Sequence, residues 1–166
     1  LTIQCARCHT HPEVASWQQQ AYWGIAAFFG RSYRIQVKGA YYLGEKATGE
    51  VQYFGADKNQ RPALPVFLTG ESLTEPAAAT AGTKPAAESP ELYVVAPEEA
   101  KDKTRVPVPK FSRRQRFVEM AVRADDPYFK RALVNWVWVR LMGRGLVEPA
   151  DQMHSGNPPS HPELLD

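Results

Sequence analysis

Between residues 14 and 29, apolar side chains recur at helical spacing. Val14, Trp17, Ala21, Ile25 and Phe28 form a stripe that Tyr22 and Phe29 widen, while Gln18, Gln19 and Gln20 fall largely outside it. That period predicts an amphipathic helix. Thr10-His11-Pro12-Glu13 fits a capping box in front of it, with Thr10 at the N-cap, Pro12 in the first turn and Glu13 at N3. Gly30 is a natural stop, so the helix is expected over 12–29. The period then changes to two. Tyr33, Ile35 and Val37 alternate with Arg34, Gln36 and Lys38, which predicts a half-buried strand. Short strands are expected at 40–43 and 51–54, joined by a turn over 44–50, with polar loop at 55–60 and extended chain at 64–68 beside Pro62 and Pro65.

Residues 71–91 break the pattern, being made of Ser, Thr, Ala, Pro, Glu and Gly with little to bury. This composition predicts a linker or surface excursion. Residues 92–95 and 106–109 read as extended, and 98–103 as charged and solvated. The last third is helical. A helix over 113–123 carries Phe117, Met120 and Ala121 on one side, and a second starts at Asp125-Asp126-Pro127 with Asp126 as N-cap and Pro127 at N1. Its apolar side is Phe129, Ala132, Leu133, Trp136, Val137 and Leu141; Val134, Trp138 and Val139 make it apolar nearly all round. Such a helix is expected to be buried from more than one direction. Gly143 ends it, a polar loop runs to Pro159, and Ser160-His161-Pro162-Glu163 is a second capping box before Leu164 and Leu165. The pattern predicts an α+β fold: a mainly helical core of three main helices, a small antiparallel sheet from the middle, and long irregular loops. Three regions follow: 1–70 with the first helix and small β region, 71–110 as low-complexity or extended linker, and 111–166 as the start of a following domain that is cut short at 166. The chain is therefore expected to be a piece of a longer protein.

Composition narrows the function classes. The 166 residues can bury a real core, and their net charge is only +2. The basic residues are scattered, with no stripe interleaved with aromatics, so nucleic acid is not an expected partner. No apolar run is long enough to span a bilayer.

The chemistry concentrates in Cys5-Ala6-Arg7-Cys8-His9, which holds the only two cysteines. C-x-x-C-H is the attachment spacing of c-type haem, in which two thiols add to the haem vinyl groups and the adjoining imidazole meets the iron. The leading expectation is haem c on Cys5, Cys8 and His9, with His9 as iron ligand. The alternatives are a zinc site on Cys5, Cys8, His9 and His11, or a disulfide or pair of inert thiols with no cofactor. A redox C-x-x-C would need a βαβ setting that the pattern does not offer. Candidate sixth ligands to iron are Met120, Met142, Met153 and His154; Met120 and Met142 fall on helices, where core packing is the commoner role. Asp126, Asn135, Arg144 and Asp151 read as a structural skeleton: Asp126 caps, Asn135 satisfies backbone groups beside a buried Trp138, and Arg144 ties the loop to Asp151. The sharper alternative is a carbohydrate-directed acid–base site using Asp151 or Glu148 with His154. Catalytic residues are not assigned, and whether the chain is an enzyme stays open.

Two blocks also resemble known proteins. Ile3-Gln4-Cys5-Ala6-Arg7-Cys8-His9-Thr10-His11-Pro12, followed by Trp17, Gln18, Tyr22, Gly24 and Ala26-Ala27-Phe28-Phe29, resembles the end of a domain of unknown function in planctomycete-type secreted proteins that associate with cytochrome c domains. Asp126-Pro127-Tyr128-Phe129, Arg131 to Asn135, Trp138 and Gly143-Arg144-Gly145-Leu146-Val147-Glu148-Pro149, continuing from Asp151 to Asp166, is similar to the opening of the domain that follows in those proteins. Thr10 stands where an acidic residue is common, and Trp136 where Arg is. The resemblance implies export to the periplasm or the extracellular space and a multidomain parent. It also implies a redox partner or cytochrome-c-like module of that parent, and haem-type assignment of Cys5, Cys8 and His9. The leading reading is a haem-bearing segment serving electron transfer or redox coupling. Its rival is a structural or interaction module for a cell surface or polysaccharide, whose cysteines hold zinc or a disulfide.

Overall fold

The computed structural model describes residues 3–76, 89–98, 105–123, 125–126 and 128–165. Most of the low-complexity stretch, nearly all of the charged stretch and Pro127 lie outside the described residues. The fold is α+β, with three helices of nine or more residues and small antiparallel two-stranded sheets. The chain divides into two compact units, residues 23–117 and residues 1–22 with 118–166.

In the 23–117 unit, helix α1 (Gln19–Phe29) contributes from Trp23 onward. Strands β1 (Ser32–Val37) and β2 (Ala40–Glu45) form a hairpin, as do β3 (Val51–Phe54) and β4 (Gln60–Ala63). The first hairpin turns on Lys38 and Gly39, at φ 48° and 83°. Positive φ at both central residues matches the right-handed twist of the strands. A third pair joins β5 (Tyr93–Val95) to β6 (Val108–Pro109). Residues 44–50, expected as a turn between two strands, begin with the end of β2 and then serve other partners. Lys46 N donates to Arg31 O at 2.9 Å, and Ala47 N to the Tyr93 hydroxyl at 2.9 Å. Apolar packing is local. Trp23 stacks on Tyr53 at 5.3 Å beside Ala27 and Ala63, and Phe117 meets Phe28, Phe29 and Phe67 at 5.0–5.4 Å. Helix α1 passes so close to Val66 that a Cβ on Gly24 would lie 2.9 Å from its carbonyl oxygen.

Charge sits at the centre of this unit. Arg31 and Arg113 are 2% and 1% exposed. Arg113 pairs through Nη2 with Glu50 (3.0 Å) and Glu75 (3.0 Å), through Nε with Glu75 again, and donates through Nη1 to Ala27 O (3.1 Å). Arg31 Nη2 reaches the same Glu75 at 2.9 Å, and its Nε donates to Gly49 O at 3.0 Å. Buried Glu45 caps helix α2 (Arg113–Ala121): Oε1 accepts from the amides of Arg113 (2.8 Å) and Arg114 (3.3 Å), and Oε2 from the Ser112 hydroxyl. A carboxylate there also complements the helix dipole. Burial opposes the charge of Arg113, but hydrogen bonds and charge from Glu75 and Glu50 outweigh it, so its pKa is raised.

In the other unit, the chain from Ile3 to Arg7 makes a 3-10 helix. The first α-helix starts at Gln19, seven residues later than the capping box predicts. The imidazole of His11 explains the delay. Its Nδ1 accepts from the amides of Glu13 and Val14, both at 3.2 Å, while His11 N donates to Trp17 O at 2.8 Å. Residues 11–17 therefore close a loop around the buried Trp17 ring, where a helix would have spread those amides along its own axis.

Helix α3 (Phe129–Met142) begins two residues later than the expected Pro127, with Tyr128 at its N-cap; Asp126 Oδ1 still accepts from the amides of Tyr128 (3.0 Å) and Phe129 (2.7 Å) ahead of the first turn. It ends at Gly143, φ 78°, whose amide returns to Val139 O at 2.8 Å. The expectation of burial from several directions is not met: Leu133, Val134, Trp136, Val137, Leu141 and Met142 are 39–74% exposed. The one fully buried residue of the helix is Asn135. Its Nδ2 donates to Val147 O (3.0 Å) and Ala150 O (3.4 Å), and its Oδ1 accepts from Val147 N (2.9 Å). The helix thus turns Asn135 toward the 145–150 loop and leaves much of its apolar surface outside. Below that loop, Leu146, Val147 and Leu165 form a small core with Trp138 and Met153, and helix α4 (Pro162–Leu165) supplies Leu165.

Two stability effects follow. Glu75→Gln removes a buried charge that two arginines share, and is expected to cost about 3 kcal/mol or more in urea unfolding. Asp57→Asn, at the exposed Asp57–Arg61 pair, is expected to leave the unfolding midpoint unchanged. Asn135→Leu strands one amide and two carbonyls, and is expected to cost about 3 kcal/mol. Asn135→Asp keeps the acceptor for Val147 N and should fall between Leu and wild type in the same measurement.

Candidate functional site

The C-x-x-C-H segment is built around a buried methyl group. Ala6 is fully buried and anchors the 3-10 helix, whereas Cys5, Arg7, Cys8 and His9 are exposed. Cys8 N donates to Cys5 O at 3.5 Å, an i to i+3 bond. Side chains three apart in such a turn eclipse one another, so the two thiols share one face. Both are free. Gln19 at the start of α1 donates through Nε2 to Arg7 O at 3.1 Å and fastens the turn to the helix.

The hydrogen bonds of the histidines separate their chemistry. His9 Nδ1 lies 2.7 Å from Thr10 O. A carbonyl oxygen only accepts, so Nδ1 carries a proton, and in the neutral ring Nε2 holds the lone pair. A metal-binding imidazole is commonly oriented in this way, with its other nitrogen donating to a carbonyl. His11 is the reverse. Its Nδ1 accepts two amides, which puts the proton of the neutral ring on Nε2, and the ring packs edge-on against Trp17 at 5.4 Å. Trp17 continues the contact to Tyr128 at 6.1 Å. His154 Nδ1 accepts from Gly156 N at 3.2 Å, again leaving the proton on Nε2. His161 Nδ1 lies 3.1 Å from the Ser160 hydroxyl.

The other residues singled out from sequence are distributed as follows. Met120 is buried on α2, 8% exposed, a packing position. Met153 and His154 line one cavity of about 460 Å³ with Tyr128 and Arg131. Met142 lines a second cavity, of about 630 Å³, with Trp138, Arg144, Glu148 and His161. Glu148 and His154 therefore line different cavities. Glu148 also closes the turn after α3, its Oε2 accepting from Gly145 N at 2.9 Å. A Cβ on Gly145 would lie 2.3 Å from Val147 O, which fixes glycine there. Among the described residues, no group of three or more His, Cys, Asp or Glu side chains is gathered to hold a metal ion. The second cavity was not legible as a site: Arg144 reads as a loop tie and His161 as a first-turn residue. Its signal in the sequence is the excess apolar width of α3, which sets Trp138 beside a polar loop.

Among the described residues no helix is long and apolar enough to cross a membrane. Residues 113–166 match the family model described as PSD1, a protein of unknown function (DUF1553). No curated protein and no solved structure matches the chain. The matched range contains Asn135 and both cavity-lining loops, while Cys5, Cys8 and His9 lie outside it, so what the comparisons support is a domain of unknown function in the C-terminal third of the chain.

Proposed function

We propose that this chain is a segment of an exported multidomain protein that carries haem c on Cys5 and Cys8, with His9 as the iron ligand, and serves electron transfer or redox coupling. The observation that carries the reading is the His9–Thr10 hydrogen bond of 2.7 Å, which commits Nδ1 and leaves Nε2 as the nitrogen for a metal, in a segment that also carries two free, exposed thiols. Two thiols exposed to solvent are accessible for thioether formation, and the turn that carries them is fastened by buried Ala6 and by Gln19. Haem bound there would supply a one-electron couple. The chain's own part is to hold the group and to fix which nitrogen faces the iron. Thioether attachment takes place outside the cytoplasm, so the reading carries with it a periplasmic or extracellular location. The partner is a redox protein or a cytochrome-c-like module of the same parent. The zinc alternative needs His11 as fourth ligand, and the Nδ1 of that residue is engaged in closing the 11–17 loop.

Protein exported from a host with c-type maturation is expected to give a pyridine haemochrome spectrum and a haem-stained band that survives denaturing electrophoresis. Cys5→Ser combined with Cys8→Ser should abolish both. A folded but colourless wild-type protein would falsify the reading, and stoichiometric zinc in that protein would put the metal alternative in its place.

A further inference from the structure

The cavity of about 630 Å³ in the 1–22 and 118–166 unit has the volume of a small-molecule site, ~300–1,000 Å³. Its apolar lining is Trp138 with Met142, Leu146, Pro158 and Leu164, and the indole packs against the Leu146, Val147 and Leu165 cluster. Facing it are groups whose hydrogen-bonding capacity is partly spent. Glu148 uses Oε2 on Gly145 N, which leaves Oε1 as acceptor. Asn157 spends both Nδ2 hydrogens on Glu148 O (3.2 Å) and Gln152 O (2.9 Å), which leaves Oδ1 as acceptor. Arg144 adds an exposed fan of donors, and His161 keeps Nε2 after its Nδ1 meets the Ser160 hydroxyl.

The lining therefore combines donors, acceptors and an aromatic ring. A hydroxyl both donates and accepts, so vicinal hydroxyls can bridge a guanidinium and a carboxylate. The weakly positive C–H face of a sugar ring suits the negative face of an indole. The formal charges of Arg144 and Glu148 cancel, so neither sign of ligand gains from the pair and the lining favours an uncharged one. We propose that this cavity binds a pyranose unit of a neutral glycan, stacked on Trp138, with ring hydroxyls bridging Arg144 and Glu148. The proposal is independent of haem at Cys5 and Cys8.

The test uses the full chain and the neutral disaccharides cellobiose, xylobiose and mannobiose, with galacturonic acid as the charged comparison. Titrations to on the order of 10 mM, the range of weak single-site binding, would be followed by amide and indole NMR shifts. At least one neutral sugar is expected to shift the Trp138 indole N–H together with Gly145 and Asn157 amides. Arg144→Met changes an exposed side chain and should weaken that binding about tenfold with unchanged melting. Glu148→Gln removes the charge while keeping an oxygen for Gly145, and should improve the response to galacturonic acid. Absence of shifts with all three neutral sugars would overturn the proposal. So would shifts that Arg144→Met leaves intact, or wild-type binding of galacturonic acid tighter than any neutral sugar.

Discussion

A charge can be buried only if it is paired, and the 23–117 unit is organised around that constraint. Its hairpins have two strands each, a size that is marginal alone in water, and its apolar clusters are small. Arg113 binds residues drawn from α1, from the 46–50 connection and from the segment after Phe67, through Ala27, Glu50 and Glu75. Arg31 repeats two of those contacts from the end of α1. Removing Glu75 leaves two buried guanidinium groups short of a counter-charge, a cost that loose apolar packing does not impose. That gives the cluster its organising effect: it contributes less to net stability than to deciding which segments meet.

The other unit solves the same problem with a neutral side chain. Asn135 has two donors and an acceptor facing a loop that cannot pair its own backbone, and it serves an amide and two carbonyls at once. This role was legible in the sequence because an amide in the middle of an otherwise apolar helix needs a buried polar partner, and the polar loop after Gly143 offered one. The cap at Asp126 and the stop at Gly143 were legible for a simpler reason: each acts within a few residues of its own position. Glu75 was not. Its partners Arg113 and Arg31 lie 38 and 44 residues away, and composition alone placed it at the edge of a stretch with little to bury. Long-range ion pairing leaves no periodic trace.

The late start of α1 shows a competition between two local signals. Thr10 and Glu13 have the spacing of a capping box, and the stripe from Val14 is helical in period. His11 adds an acceptor inside that box, and Trp17 gains burial by folding back onto the imidazole. A buried aromatic side chain outweighs two turns of helix whose amides are otherwise satisfied. The competition also has a consequence for chemistry. It fixes His11 as an acceptor at Nδ1 and leaves the next histidine, His9, to its own neighbour's carbonyl. Two histidines separated by one residue thus use Nδ1 in opposite ways, one as donor and one as acceptor, a difference that the sequence, which set His9 on iron and both on zinc, does not display.

The two sites also differ in how far the sequence exposed them. C-x-x-C-H is contiguous, so its chemistry can be read from five letters. The Trp138 cavity is assembled from α3, the turn at 143–148 and the loop at 157–161, none of which carries a motif. What reveals it is a mismatch between levels: α3 has more apolar width than its one buried line requires, and Trp138 is the wide residue that gains both a packed support and a polar neighbourhood. Where local pattern exceeds what the fold consumes, a site is the expected use of the surplus. The rest of that surplus follows from the choice of Asn135 as the inward-facing residue. At a 3.6-residue period Leu133 and Val137 lie about 160° round the helix from Asn135, so turning Asn135 to the loop sets them on the opposite face, where they are exposed.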